Sequence, residues 1–149
     1  MQDQAHIPVM TRQVVEWIAP VSDGRYVDAT LGPGGHTLAL LQAGAGQVLA
    51  VDRDEQALHL GAERIRAAGF RQQVLFEHGA YHRVNEFMAR SGWPGVHGLV
   101  LDAGLSSLQL DDPQRGFGFG HPGPLDMRMD QQQEQDAASL LNMASEEEI

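Results

Sequence analysis

The sequence of 149 residues predicts an α/β protein with a parallel β-sheet and helices on both faces. Three observations support this class. Short apolar segments alternate with amphipathic ones, a glycine-rich turn follows the first apolar segment, and aspartates stand at the ends of predicted strands. In sheets of this kind, ligands bind beyond the carboxyl ends of the strands. We therefore expect Gly32–His36, Asp52, Tyr81 and Asp102 to meet in one crevice.

The stretch Tyr26–Thr37 (YVDATLGPGGHT) predicts a strand, a glycine-rich loop and a helix in immediate succession. Gly32, Gly34 and Gly35 tolerate positive φ and let a ligand approach the backbone, while the first turn of the following helix offers free N–H groups. Such a corner binds polar or anionic groups of a ligand. An ordinary tight turn between a strand and a helix is the alternative interpretation of these residues.

The position of Asp52 favours a binding site for a nucleoside-containing cofactor over an ordinary tight turn without a ligand. It lies twenty residues after Gly32, at the end of the second predicted strand, Gln47–Val51. An acidic residue at that position accepts hydrogen bonds from the two hydroxyl groups of a ribose. Thr37 occupies the place where the dinucleotide fingerprint has glycine or alanine, so NAD is not favoured. The chain also lacks the lysine that a Walker loop requires.

Apolar spacing and end signals predict the remaining elements. A helix begins at Thr11, with Thr11 as its N-cap. Asp54 caps a helix that Gly69 ends, and the apolar stripe of that helix consists of Leu58, Ala62 and Ile65. The other predicted elements are strands at 25–29, 73–77 and 96–101, a helix at 83–90, and an extended segment at 6–8.

The segment that follows Asp102 is rich in glycine, proline and acidic residues and shows no regular apolar period. Long segments of this kind are functional loops or disordered. Phe117 and Phe119 are expected either to stack on a base or to anchor the loop as apolar contacts. Asp136 begins a helix-like stretch, and Ser145 begins a capping box that its glutamate completes three residues later. Because that box lacks its helix, the chain is expected to be the N-terminal piece of a longer protein.

Composition excludes several classes of protein. The absence of cysteine excludes disulfides, thiolate zinc sites and cysteine nucleophiles, and the histidine spacing does not favour a metal site. No apolar stretch approaches the ~20 residues of a membrane span, and the N-terminus does not resemble a signal peptide, so a cytoplasmic protein is expected. The net charge of −10 disfavours a broad nucleic-acid surface. Seven carboxylates and one arginine lie in residues 126–149, so any RNA-binding face must be local or supplied elsewhere.

Taken together, the motifs resemble those of the bacterial 16S ribosomal RNA cytosine-N4 methyltransferases, the RsmH or MraW family. The resemblance covers essentially the whole chain and rests on HIPVM, YVDATLGPGGHT, AVDRDEQAL, HGAY, LDAGLSSLQLDDPQRGFGF and GPLDMRMD. It implies a Rossmann-like, S-adenosylmethionine-dependent methyltransferase that acts on 16S ribosomal RNA of the small ribosomal subunit. It also implies a methyltransferase core at 1–130 and the start of an inserted helical domain at 131–149.

The resemblance also implies roles for individual residues. The resemblance places Gly34, Gly35 and His36 against the methionine part of the cofactor. It places Asp52 on the ribose and Tyr81 near the adenine. Asp102 and Gln109 are expected in the same pocket. The chain departs from the family at Leu31, Pro33 and Ala103, where phenylalanine, arginine and leucine are common. Pro33 stiffens the loop and removes one N–H donor.

The implied chemistry needs few residues, because a sulfonium methyl group is already activated and transfer depends mainly on orientation. The weakly nucleophilic amine of cytosine needs an acceptor for its proton. Asp102 is the first candidate and Asp126 the second, although Asp126 is also expected to cap a loop. The alternatives are a methyltransferase for a small molecule or protein, and a fragment that binds the cofactor without catalysis.

Overall fold

The four predicted strands form one parallel sheet in the computed structural model, which describes residues 8–148. The strands are β1 Arg25–Asp28, β2 Gln47–Asp52, β3 Val74–His78 and β4 Gly98–Val100. The helices are α1 Thr11–Ile18, α2 Gly35–Gln42, α3 Glu55–Ala67, α4 Val84–Arg90, α5 Ser107–Asp111 and α6 Ala137–Met143. Short 3-10 turns lie at Arg71–Gln73, Tyr81–Arg83 and Pro113–Arg115.

The strand order in the sheet is β3-β2-β1-β4. Val27 of β1 pairs with Leu49 of β2 on one side and with Leu99 of β4 on the other. This is the order of the first four strands in the doubly wound nucleotide-binding folds, in which the order reverses beside β1. The predicted Rossmann-like α/β class is therefore confirmed, and the carboxyl ends of β1, β2 and β4 lie at one edge.

Alternating side chains of the strands build a core on each face of the sheet. Tyr26, Val48 and Ala50 pack with residues of α1, α2 and α3 on one face. Val27 and Leu49 pack on the other face with a cluster that includes residues of α4. Because both faces are covered, β1 and β2 are almost continuously apolar, as buried parallel strands are.

Several predicted bounds differ from those in the structure. Met10, in the left-handed conformation, is the N-cap of α1, and the Thr11 hydroxyl donates a hydrogen bond to the Pro8 carbonyl oxygen at 2.8 Å instead of capping the helix. β4 is shorter than the predicted 96–101, and β3 begins one residue late because residues 71–73 form a 3-10 turn. Residues 6 and 7 of the predicted extended segment lie outside the described residues.

α3 buries a different stripe from the one predicted. Asp54 caps the helix by accepting a hydrogen bond from the Gln56 N–H, as expected. Its fully buried positions are Ala57, Gly61 and Ile65, whereas Leu58 and Ala62 are only partly buried. The shift occurs because α3 approaches the glycine-rich loop closely, so that an added Cβ at Gly61 would lie 2.9 Å from the Gly32 carbonyl oxygen.

The chain divides into two compact units between Ala103 and Gly104. The second unit contains α5 and α6, although the sequence indicated no element before Asp136. A five-residue helix is too short to show an apolar period, but its capping box, Ser106 with Gln109, is a signal that the sequence does carry. The helix predicted to begin at Asp136 forms as α6, and Asp136 caps it by accepting a hydrogen bond from the Ser139 N–H. A domain boundary after residue 130 stays a prediction.

The capping box predicted at Ser145 is half formed. The Glu148 carboxylate accepts hydrogen bonds from both the backbone N–H and the hydroxyl of Ser145, at 2.9 Å each.

None of the helices within residues 8–148 combines the length and the apolar character that a membrane crossing requires.

We predict that Gly61→Ala lowers the free energy of unfolding by about 1–2 kcal/mol, although alanine is favoured over glycine in a helix by about 1 kcal/mol. The added methyl group meets the Gly32 carbonyl, a backbone atom that cannot change rotamer. Urea unfolding measures the difference. Gly95→Ala is the control, since no heavy atom lies within 4 Å of a Cβ added there. Equal or greater stability of Gly61→Ala would show that α3 and the loop have room to separate.

Candidate functional site

The glycine-rich loop joins β1 to α2 at the carboxyl edge of the sheet. Gly32 and Gly34 have φ of 52° and 81°, and Gly34 is the N-cap of α2. Gly35 was expected to share this freedom but is instead the first residue of the helix, where its missing side chain makes room for the Pro8 ring. The loop is therefore shaped by two left-handed glycines and one close contact.

The Asp28 side chain, at the end of β1, forms hydrogen bonds with residues on both sides of this loop. One carboxylate oxygen accepts a hydrogen bond from the Thr30 N–H at 3.2 Å, and the other accepts one from the Thr37 hydroxyl at 2.7 Å. Asp28 and Thr37 are fully buried. Burial raises the pKa of the Asp28 carboxyl, and the hydrogen bond from Thr37 partly opposes that rise. The buried carboxylate therefore acts as a brace for the loop.

Asp52, at the end of β2, holds the middle of the same loop. Its carboxylate oxygens accept hydrogen bonds from the N–H groups of Gly32 at 2.7 Å and Asp54 at 2.9 Å. Burial raises the pKa of the Asp52 carboxyl, and these two hydrogen bonds oppose the rise. A carboxylate has about four acceptor positions, so two backbone bonds leave capacity for hydroxyl groups of a ligand.

The first turn of α2 supplies donors beside this carboxylate. Leu38 donates the first intrahelical hydrogen bond, to the Gly34 carbonyl oxygen at 2.9 Å. The N–H groups of Gly35, His36 and Thr37 precede it and have no intrahelical acceptor. Together with the positive end of the helix dipole, they suit the binding of an anionic group.

Asp102 is joined to this corner by two hydrogen bonds. Its N–H donates to the Thr30 hydroxyl at 2.8 Å, and its carboxylate lies 3.3 Å from Nε2 of His36. His36 is buried, whereas about half of the Asp102 side chain is exposed. Nδ1 of His36 is buried and has no hydrogen-bond partner among the described residues. The structure therefore brings together Gly34, Gly35, His36, Asp52 and Asp102.

Tyr81 lies in the 3-10 turn that follows β3, at the same edge of the sheet. The exit from β3 is joined to β2 by a hydrogen bond from the Gly79 N–H to the Asp52 carbonyl oxygen at 2.8 Å. The Tyr81 ring is half exposed and contacts the edge of the His82 ring. An exposed ring at this edge is available for stacking, and its contact with adenine stays a prediction.

Gln109 and Asp126 belong to the second unit. Gln109 is buried, and its side-chain oxygen accepts the Ser106 N–H at 3.0 Å. The Asp126 carboxylate accepts hydrogen bonds from the backbone N–H and the guanidinium of Arg128, which lowers the pKa of the Asp126 carboxyl. The position of both residues relative to the cofactor corner stays a prediction.

The two phenylalanines of the second unit differ in exposure. Phe119 is fully exposed, so it does not anchor the loop through contacts with residues 8–148, whereas Phe117 is partly buried. Phe119 thus remains available for stacking.

Sequence reasoning missed the residues that brace the corner. Asp28, Thr30 and Thr37 received no role, yet their hydrogen bonds connect β1, α2 and the end of β4. The signal was present in the spacing, because an aspartate at a strand end is followed by hydroxyl residues two and nine positions later. Within residues 8–148, no three His, Asp or Glu side chains are grouped as metal ligands.

A family model described as the MraW methylase family matches residues 3–149. The chain is also similar to two proteins named ribosomal RNA small subunit methyltransferase H. The protein from Sorangium cellulosum is 44% identical over 98% of this chain and 46% of its own length. The protein from Maridesulfovibrio salexigens is 48% identical over 86% of this chain and 40% of its own length.

Among solved structures, the chain is similar to an rRNA methylase from Streptococcus thermophilus, with 24% identity and a TM-score of 0.49. That similarity covers 56% of this chain and 50% of the other. The chain thus spans less than half the length of these two relatives from Sorangium cellulosum and Maridesulfovibrio salexigens.

We predict that the stability advantage of the wild-type chain over Asp28→Asn narrows as the pH rises. Because the pKa of Asp28 is raised in the folded state, the folded chain holds a proton that the unfolded chain has already lost above its ordinary pKa of 3.8. The wild type therefore loses stability between that value and the raised one, and the amide does not.

Urea unfolding at several pH values between about 4 and 7 measures the difference in free energy of unfolding between the wild type and Asp28→Asn. This pH range lies above the ordinary pKa of a carboxyl group. Asp23→Asn is the control, since Asp23 is exposed. A gap that widens with pH would show that the hydrogen bonds from Thr30 and Thr37 outweigh burial.

Proposed function

Because the chain belongs to the MraW methylase family, we propose that it transfers a methyl group from S-adenosylmethionine to ribosomal RNA of the small subunit. The names of its relatives support this substrate. The observation that carries the proposal is the braced corner, in which Asp28 and Asp52 hold a glycine-rich loop against the first turn of α2. Since the chain spans about half of these relatives or less, the activity is proposed for the protein as its gene encodes it.

The donors and acceptors of the corner fit this cofactor. The free N–H groups at the start of α2 suit its carboxylate, and the remaining acceptor positions of Asp52 suit the ribose hydroxyl groups. Gly34 and Gly35 let it approach the backbone, and Tyr81 lies at the edge where adenine is expected. His36, Asp102 and Gln109 complete the set of cofactor contacts that the family resemblance implies.

The proposed target is the N4 amine of a cytosine, as the family resemblance implies. S-adenosylmethionine supplies an activated methyl group when bound, so the residues of this chain need to orient the amine and accept its proton. Asp102 suits the acceptor role, because its carboxylate is half exposed at the end of β4 and one of its oxygens contacts His36.

Asp126 suits that role less well. Its side chain is buried, and the guanidinium of Arg128 binds both of its oxygens. A carboxylate with a lowered pKa is a weaker base, and the Asp126 main-chain carbonyl also accepts the Ala137 N–H at the start of α6. The hydrogen bonds of Asp126 favour the capping role within the second unit.

We predict that Asp52→Ala weakens the binding of S-adenosylmethionine by about ten- to a hundredfold. The change removes the acceptors for the ribose and also the bond that holds Gly32. Isothermal titration calorimetry measures the affinity, and circular dichroism establishes that the variant is folded. Asp23→Ala, which removes an exposed carboxylate before β1, is expected to bind normally. Normal binding by Asp52→Ala would rule out the ribose contact.

We predict that the complete protein methylates small ribosomal subunits from cells that lack this methylation, and that mass spectrometry finds the label on N4 of cytosine. Asp102→Asn is expected to lower kcat by about a hundredfold or more, since the variant loses a general base. Its affinity for the cofactor should fall much less. Label on a small molecule or a protein, with none on RNA, would refute the proposed function.

A further inference from the structure

The chain has ten basic side chains, all arginines, and all of them lie in the described residues. Nine contact another part of the chain. The five arginines that form ion pairs are Arg12, Arg66, Arg83, Arg90 and Arg128. The three that donate to carbonyl oxygens are Arg64, Arg71 and Arg115. Arg25 lies over the ring of Trp93. For Arg53 alone, residues 8–148 provide no partner to the guanidinium.

Arg53 lies at the ligand edge of the sheet, directly after β2. Its carbonyl oxygen lies 3.1 Å from Nε2 of His78, the residue of β3 that pairs with Asp52. Acidic residues flank it on both sides, yet their carboxylates bind backbone N–H groups. Asp52 accepts from Gly32 and Asp54, and Asp54 accepts from Gln56. The Arg53 guanidinium therefore forms no ion pair with either of these neighbours within residues 8–148.

The guanidinium is also partly desolvated. Nε of Arg53 is buried and lacks a hydrogen-bond partner among the described residues. A buried donor without an acceptor is unfavourable, and a charged one more so, which makes an anionic ligand the natural partner. The planar fork of an arginine matches the paired oxygens of a phosphate group.

The proposed cofactor does not explain this site, because S-adenosylmethionine carries no phosphate and its carboxylate suits the first turn of α2. RNA carries one phosphate per nucleotide and must approach an edge where Asp28, Asp52 and Asp102 are grouped, in a chain of net charge −10. A local cation at that edge reduces the repulsion.

We propose that Arg53 binds a backbone phosphate of the RNA strand that carries the target base, an inference that rests on the proposed function. Arg53 then serves as a positioning residue that aligns the strand with the corner beside Asp52. Phosphate contacts fix the register of a nucleic acid on a protein without reading its sequence.

The test compares Arg53→Gln, Arg53→Lys and Arg66→Gln in the complete protein. Arg66→Gln is the matched control, because it removes the same charge from an exposed side chain in the last turn of α3, far along the helix from Arg53. The probes are small ribosomal subunits that lack the methylation and a single-stranded RNA oligonucleotide of the small-subunit sequence. Affinity is measured at several salt concentrations, and cofactor affinity is measured separately.

We expect Arg53→Gln to weaken RNA binding by about three- to tenfold at roughly 0.1 M salt, and to reduce the slope of log Kd against log salt by about 0.7. Arg53→Lys keeps the charge and should keep the slope. Arg66→Gln should match the wild type, and cofactor affinity should be the same in all four proteins.

An unchanged salt slope in Arg53→Gln, or an equal loss in Arg66→Gln, would overturn the inference while leaving RNA methylation intact. A loss of cofactor affinity in Arg53→Gln would assign the residue to the cofactor site instead. If the wild-type protein itself failed to bind either RNA probe, the proposed function would fail as well.

Discussion

The hydrogen bonds of the buried Asp28 carboxylate are the constraint on which the candidate site depends. They fix Thr30 and Thr37, the residues on either side of the glycine-rich loop, and thereby set where α2 begins. Asp52 then fixes Gly32 from the neighbouring strand. Each of these carboxylates accepts hydrogen bonds from donors of the chain itself, which restricts the conformation of the loop. Restriction of this kind lowers the entropic cost of binding.

The sequence predicted the parallel sheet, the glycine-rich turn and the place of Asp52, because each depends on short-range spacing. It missed the brace, since an aspartate at a strand end serves equally well as a ligand contact or as a buried acceptor, and only burial distinguishes Asp28 from Asp52. α5 was missed because five residues show no period. The predicted proximity of Gln109 to Asp102 depends on how the two units associate, which local patterns do not encode.

Most of the positively charged side chains in residues 8–148 already contact an acceptor within the chain. Carboxylates are twice as many as arginines, and most arginines are paired with a carboxylate or a carbonyl group. Attraction to RNA by a broad basic surface is therefore not available to residues 8–148. Recognition by few, well-placed contacts is less sensitive to salt than recognition by many.

The hydrogen bond from the Asp102 N–H to the Thr30 hydroxyl completes a closed ring of contacts. Asp28 holds Thr30, Thr30 accepts the Asp102 N–H, Asp102 contacts His36, and the neighbour of His36, Thr37, returns to Asp28. We expect a displacement at one bond of this ring to be transmitted to the others. On that expectation, a ligand bound at the loop also positions the Asp102 carboxylate, and by thermodynamic linkage a group bound at Asp102 changes affinity at the loop by the same factor. We therefore expect binding at the loop and binding at Asp102 to be thermodynamically coupled.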